Sequence, residues 1–307
     1  MEELLILGGG PAGCTAAIYA SRFGIKTKLI TLEVGGQLRL ARKIENFPGF
    51  KSVSGFELAS RLEEQVRSLG IEIEIDEVLE LNDLENGYLV KGRRGEYEAR
   101  ALIIALGRKP RKLGVKGEKK LLGKGVSYCA TCDMPFFKGK VVAIVGGGNS
   151  AIDAALYASE LASKVYLIHR RSEFRAFPSN VERLKERENV TFLLNKVVKE
   201  IKGESKVESL ILQDVATSET SEIACDGVFI EIGYETQREL FASFVKLNER
   251  GEIVIDEHCR CFKPESDEIK PGVFACGDVA STGLKQAIVA CATGAIAAVS
   301  AARYLRG

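Results

Sequence analysis

The sequence predicts an α/β fold built on two strand–turn–helix–strand units, and three observations predict it. An apolar strand, Leu4 to Leu7, runs into the glycine turn "GGGPAG" at 8–13. A second apolar strand, Val141 to Val145, runs into "GGGNSA" at 146–151. Behind each turn, small and apolar residues recur every three to four positions, the period of a helix, and a further strand follows at Thr27 to Ile30 and at Val165 to Ile168.

The 307 residues suffice for two domains, each with its own core. Hydrophobic residues at 46% and charged residues at 28% fit an ordinary soluble globular protein. A net charge of +1 gives no bulk attraction for nucleic acid or an anionic membrane. The N-terminal "MEELLILGGG" is acidic and its apolar run is too short for a signal peptide. No other apolar run is expected to reach the roughly 20 residues of a membrane helix, so a cytoplasmic protein is expected. Eight cysteines are too few for a disulfide-stapled secreted scaffold of this length. Cys14, Cys225, Cys276 and Cys291 stand among small or apolar neighbours and are expected to be buried hydrophobes.

In the first unit, Gly8, Gly10 and Gly13 fit G-x-G-x-x-G between strand and helix. Gly8 permits the tight turn, Gly10 lets a pyrophosphate approach the backbone, and Gly13 lets helix and strand pack closely. The helix start supplies N–H groups and partial positive charge to the pyrophosphate. Glu33, just past the second strand, can accept hydrogen bonds from a ribose hydroxyl.

Between the two units lies "SYCATCDMPF" at 127–136, with Cys129 and Cys132 two residues apart and Asp133 directly behind. The pair can be half of a zinc site, a dithiol that cycles through a disulfide, or an accident. Zinc requires two more ligands. The sequence offers only His169 and His258, and His258, Cys259 and Cys261 form the one other candidate cluster, read as incidental; no metal is expected. The redox reading places both sulfurs within disulfide reach on a tight turn, one thiolate attacking an external disulfide while the other resolves it.

The second unit has Gly146 and Gly148, with Ala151 in the third glycine position. Its second strand ends in "HRRSEFR" at 169–175 instead of an acid. Arg170, Arg171 and Arg175 form either a solvated basic turn, in a chain with 43 Lys and Arg, or the guanidinium forks that a ribose 2′-phosphate needs; their position favours the phosphate, which points to NADPH over NADH.

With these blocks placed, the chain resembles a low-molecular-weight thioredoxin reductase over nearly its whole length. The match runs through "GGGPAG", "GGQL" at 35–38, "IENFPG" at 44–49, "CATCD" at 129–133, "GGGNSA", "HRRSEFR", "GVFACGD" at 272–278 and "KQAIVACATGAIAA" at 285–298. The resemblance implies two Rossmann-like domains. A discontinuous FAD domain spans 1–112 and 238–307, and an NADPH domain carrying the CxxC pair is inserted at 113–237. It implies FAD contacts from Gly8, Gly10, Pro11, Ala12, Gly13, Glu33, Gly36, Gln37, Leu38 and Asn46. Further contacts come from Gly277, Asp278, Lys285, Gln286 and Ala287, the last two at a helix start whose dipole favours the reduced flavin anion. NADPH contacts are implied for Gly146, Gly148, Asn149, Ser150, His169, Arg170, Arg171 and Arg175.

The implied activity passes electrons from NADPH through FAD to the Cys129/Cys132 disulfide and on to a thioredoxin or a glutaredoxin-like protein. Cys132 would face the flavin, Cys129 would attack the partner, and Asp133 would shuttle the proton. A homodimer, and a rotation of one domain against the other during turnover, are also implied. Departures are Ala105-Leu106-Gly107 where the family often has Ala-Thr-Gly, a missing proline in "IGYETQ", and an extended "HCRCFKPESDEIK". Two other readings compete: a non-enzymatic nucleotide-binding redox sensor, and an NADPH oxidase or ferredoxin–NADP reductase, whose relatives lack the cysteine pair.

Overall fold

The computed structural model describes residues 1–41 and 44–307, apart from the side chains of Leu40, Thr131 and Cys132. The chain falls into two units, Met1–Lys109 with Glu235–Gly307 and Pro110–Tyr234, so it passes between them twice.

The first unit begins β1 (Glu2–Gly9), α1 (Pro11–Arg22), β2 (Thr27–Val34), α2 (Gly55–Ser68), β3 (Glu72–Ile75), β4 (Val78–Leu84), β5 (Gly87–Gly92) and β6 (Glu96–Ile104). The second unit contains β7 (Val126–Ser127), α3 (Ala130–Asp133), β8 (Val141–Gly146), α4 (Asn149–Leu161), β9 (Lys164–His169), α5 (Pro178–Lys185) and β10 (Val190–Leu194). It continues through β11 (Lys196–Lys202), β12 (Ser209–Asp214), β13 (Thr220–Ala224) and β14 (Gly227–Glu231). The chain then returns to the first unit for β15 (Arg260–Phe262), β16 (Ile269–Ala275) and α6 (Ala287–Arg306).

Among the described residues the first unit has an eight-stranded sheet in the order β15-β16-β6-β1-β2-β3, with the β4–β5 hairpin paired to β6. β1 lies between β2 and β6, parallel to both, with Leu4 opposite Thr27 on one side and Ala101 on the other. Leu4 to Leu7 are fully buried, the continuous apolar run expected of a parallel strand covered on both faces. In the second unit the order is β10-β9-β8-β14-β7, and β8 is likewise held between parallel neighbours, β9 and β14. Both glycine turns therefore leave the carboxyl end of an interior strand, where open α/β sheets place their ligands.

α6 packs on α1 through small residues: Ala12, Ala16, Ala17, Ala297, Ala298 and Ala301 share one buried cluster. A Cβ on Gly294 would stand 2.2 Å from the Ala12 carbonyl oxygen, so only glycine permits this approach. α6 also corrects one expectation. Its 20 residues, mean hydropathy 1.6 in the apolar window, are long and apolar enough to cross a membrane by length and composition. Alanines raise the hydropathy of this helix while serving the packing against α1, which explains the coincidence.

Candidate active site

The first cavity, about 580 Å³, lies within the first unit. Gly8 turns at φ +106°, and a Cβ there would sit 2.3 Å from the Ala105 carbonyl oxygen. A Cβ on Gly13 would lie 1.7 Å from Gly8 O, which ties helix to turn. Gly10 lines the cavity, and a Cβ on it would meet nothing within 4 Å; it would instead fill the cradle. α1 starts at this residue without a side-chain cap, leaving its first amides to an anion. This is the local geometry that a pyrophosphate requires.

Pro11, Ala12, Glu33, Gly36, Gln37 and Leu38 line the same cavity. Thr31 holds the Glu33 segment: its hydroxyl donates to Glu33 O at 2.7 Å and accepts from Gly9 N at 2.9 Å. Asn46, Gly277, Asp278, Lys285, Gln286 and Ala287 complete the far end, with Asn46 Nδ2 donating to Gln286 Oε1 at 3.0 Å. Burial raises the Asp278 carboxyl above its ordinary range. Burial, then the Arg108 charge, lowers the Lys285 ammonium.

Sequence reasoning stopped at Gly107 and missed the next residue. Arg108 lines the cavity, accepts from Gln37 Nε2 at 3.2 Å through its carbonyl, and donates through Nε to Asp278 O at 2.9 Å. Its guanidinium also pairs with the buried Glu252. A cation directly after Gly107, three residues past the end of β6, was the available signal.

The second cavity, about 610 Å³, lies within the second unit. Gly146, Gly148, Asn149, Ser150, His169, Arg170, Arg171 and Arg175 all line it, joined by Arg111, Lys112, Lys196 and Glu231. Here too the cradle is open: a Cβ on Gly148 would meet nothing within 4 Å, and α4 starts there without a side-chain cap. The basic loop is fastened to the glycine turn, with Arg175 N donating to Gly147 O at 2.7 Å and Phe177 N to Asn149 Oδ1 at 2.8 Å. Burial lowers the His169 imidazole pKa against the opposing hydrogen bond to the Glu173 carbonyl, and the three arginines add to the lowering. The ring stacks on Phe174 at 5.4 Å. The exposed arginines supply the positive charge at the cavity.

The redox turn lies in the same unit. Cys129 is half-buried and disulfide-bonded, and Cys14, Cys225, Cys259, Cys261, Cys276 and Cys291 are free thiols. The side chain of Cys132 lies outside the described residues. α3 is a single turn closed by Asp133 N donating to Cys129 O at 3.2 Å. Ser127 fixes its entrance, its hydroxyl accepting from Cys129 N at 3.0 Å. Glu231, at the end of β14, accepts from Ala130 N at 3.5 Å while lining the second cavity. Burial pushes its carboxyl up to about 7, against the small opposing effect of that amide. Ser127 and Glu231 were not anticipated, because nothing in their spacing marks them.

His258 is exposed, whereas Cys259 and Cys261 are buried. Burial raises the Cys259 thiol to about 12 and lifts Cys261 well above the ordinary thiol range.

Comparison with known proteins agrees with this geometry. The family model described as pyridine nucleotide-disulphide oxidoreductase matches residues 2–294. A thioredoxin reductase of Bacillus subtilis is 42% identical, covering 99% of this chain and 94% of the relative. One from Peptoclostridium litorale is 38% identical, covering 99% and 96%. Among solved structures, Lactococcus lactis thioredoxin reductase in its FR conformation superposes with a TM-score of 0.90 at 34% identity, covering 100% of this chain and 99% of that one. Thioredoxin reductase from T. acidophilum gives 0.86 at 37%, covering 98% and 97%. The chain belongs to the pyridine nucleotide-disulphide oxidoreductase family, in its FAD- and NADPH-using thioredoxin reductase branch.

Proposed function

We propose that this chain is a thioredoxin-disulfide reductase that draws electrons from NADPH, holds FAD in the first unit, and carries its redox disulfide in the second. One observation supports it above the others: the disulfide-bearing turn and an arginine-rimmed dinucleotide cavity belong to one unit and share the Glu231 carboxyl. In the first unit, Gly8, Gly10, Gly13, Glu33, Gln37, Asn46, Asp278, Lys285, Gln286 and Ala287 would hold FAD. Gly146, Gly148, Asn149, Ser150, His169, Arg170, Arg171 and Arg175 would hold NADPH.

Bound FAD supplies the conversion of a two-electron hydride donor into thiol-reducing equivalents. The chain's own residues do the rest. Once reduced, the Cys129 thiolate attacks the partner's disulfide and forms a mixed disulfide, expelling one partner thiolate. Cys132 then attacks Cys129 Sγ, re-forming the internal disulfide and releasing the partner with two thiols. Asp133, whose backbone N–H closes the turn on the Cys129 carbonyl, would pass the protons to the departing sulfurs. The partner is oxidised thioredoxin, with a glutaredoxin-like protein as the further substrate class. A homodimer in the cytoplasm belongs to the same proposal, supported by the resemblance alone.

The test is spectroscopic. Purified protein should contain flavin that bleaches with NADPH and recovers with oxidised thioredoxin. Flavin that bleaches but does not recover with any oxidised, disulfide-containing partner protein would remove the disulfide-reductase reading.

A further inference from the structure

The first cavity carries a charge network that the proposed reaction has not used. Arg108 and Lys285 line the cavity, and behind them both reach the same oxygen, Glu252 Oε1, Lys285 Nζ at 3.2 Å. Glu252 does not line the cavity, and its side chain is only 7% exposed. Its other oxygen accepts from Asn248 Nδ2 at 2.8 Å. Asn248 is fixed in turn, with Oδ1 accepting from Arg250 N at 2.9 Å and Glu252 N at 3.0 Å. Lys285 also donates to Thr282 Oγ1 at 3.1 Å, and Arg108 to Asp278 O at 2.9 Å. Two cations therefore face the cavity from fixed positions, backed by one buried carboxylate.

The ends of the cavity can be told apart. The uncapped start of α1 at Gly10 takes the pyrophosphate, the midpoint of FAD, and Glu33 marks the adenosine side. Arg108, Asp278 and Lys285 stand with Gln286 and Ala287 at the remaining end, which receives the flavin half. Two-electron reduction makes the isoalloxazine anionic, and fixed cations beside it favour that form.

We propose that Glu252 is a positioning residue that sets the flavin's reduction potential, by partly cancelling the field of Arg108 and Lys285 at the flavin end. The inference rests on the reading of this cavity as the FAD site. It requires only that the charges act on the ring through space, and so assigns Glu252 no contact with the flavin.

The measurement is the flavin midpoint potential of the holoprotein, followed by its visible spectrum against a reference dye. Glu252→Gln keeps the shape and removes the negative charge, so the ratio of reduced to oxidised flavin at a fixed potential should rise about tenfold, which is about 30 mV upward for a two-electron couple. Arg108→Gln should shift the ratio about as far in the opposite direction. The double variant, with the net charge restored, should return close to the wild-type value. Shifts of the same sign in both single variants, or a change of less than twofold in each, overturn the proposal. If E252Q retains no flavin, R108Q and the double variant decide on the same terms. Wild-type protein that binds no flavin would overturn the assignment of the cavity itself, an outcome distinct from a flavin whose potential does not respond.

Discussion

At Glu231 one carboxyl group touches the redox turn and lines the nucleotide cavity, and its protonation gives the first prediction. Burial raises it to about 7 from a carboxylate's ordinary range, so the folded protein holds a proton there that the unfolded chain has released. That contribution to stability is complete below about pH 4.5 and is lost as pH rises through about 7. Glu231→Gln should therefore gain thermal stability over wild type progressively between those values, with the gain level above pH 8; a pH-independent difference in Tm would reject this. At the basic loop, on the proposed NADPH reading, Arg170 and Arg171 would each give a 2′-phosphate a charge-assisted hydrogen bond worth about 1.5 kcal/mol, or about tenfold in affinity. Replacing either with Gln should cut the NADPH-to-NADH preference in kcat/KM about tenfold and leave NADH kinetics nearly unchanged. Cys132→Ser should abolish thioredoxin reduction while NADPH still bleaches the flavin. The arginines were legible in the sequence because they follow a strand at a fixed distance from a glycine turn. Arg108 and Glu252 meet across 144 residues, and no local spacing encodes such a contact.

Among the elements, the pairing of α1 with α6 is the most sensitive to size. Gly294→Ala would bring a methyl group to 2.2 Å from Ala12 O, a backbone atom that cannot rotate away. Overpacking of this kind costs about 1–3 kcal/mol. Because Gly10 and Ala12 belong to the same glycine turn, flavin retention should fall together with Tm, and calorimetry with a flavin assay would check both. The strands, turns and first helices of both units were readable because period and glycine placement are local properties. The roles of α6 were harder to read. Its alanine-rich surface has the composition of a packing helix and of a membrane segment alike, and only the partner helix distinguishes them. Single-turn α3 has no periodicity to detect, so its hold by Ser127 and Glu231 became visible only in three dimensions.

Over the whole molecule, the second unit is one continuous stretch, Pro110–Tyr234, with its own buried clusters around Phe229 and Val228. Excised, that segment should fold cooperatively and bind a 2′-phosphorylated adenine nucleotide; calorimetric titration should show this, and a non-cooperative melt would argue against it. Both units also contain thiols outside the redox turn. Burial raises Cys14, Cys225 and Cys259 to about 12, lifts Cys261 and Cys276 well beyond the ordinary range, and raises Cys291. The five buried thiols, so protonated, are poor nucleophiles at neutral pH, whereas Cys291 is only half-buried. The eight cysteines thus divide into one redox pair, five buried bystanders, and Cys291, which was expected to be buried but is half-exposed. An alkylating reagent should count two fast thiols in the reduced native chain and Cys291 more slowly, with the five buried thiols appearing only after denaturation.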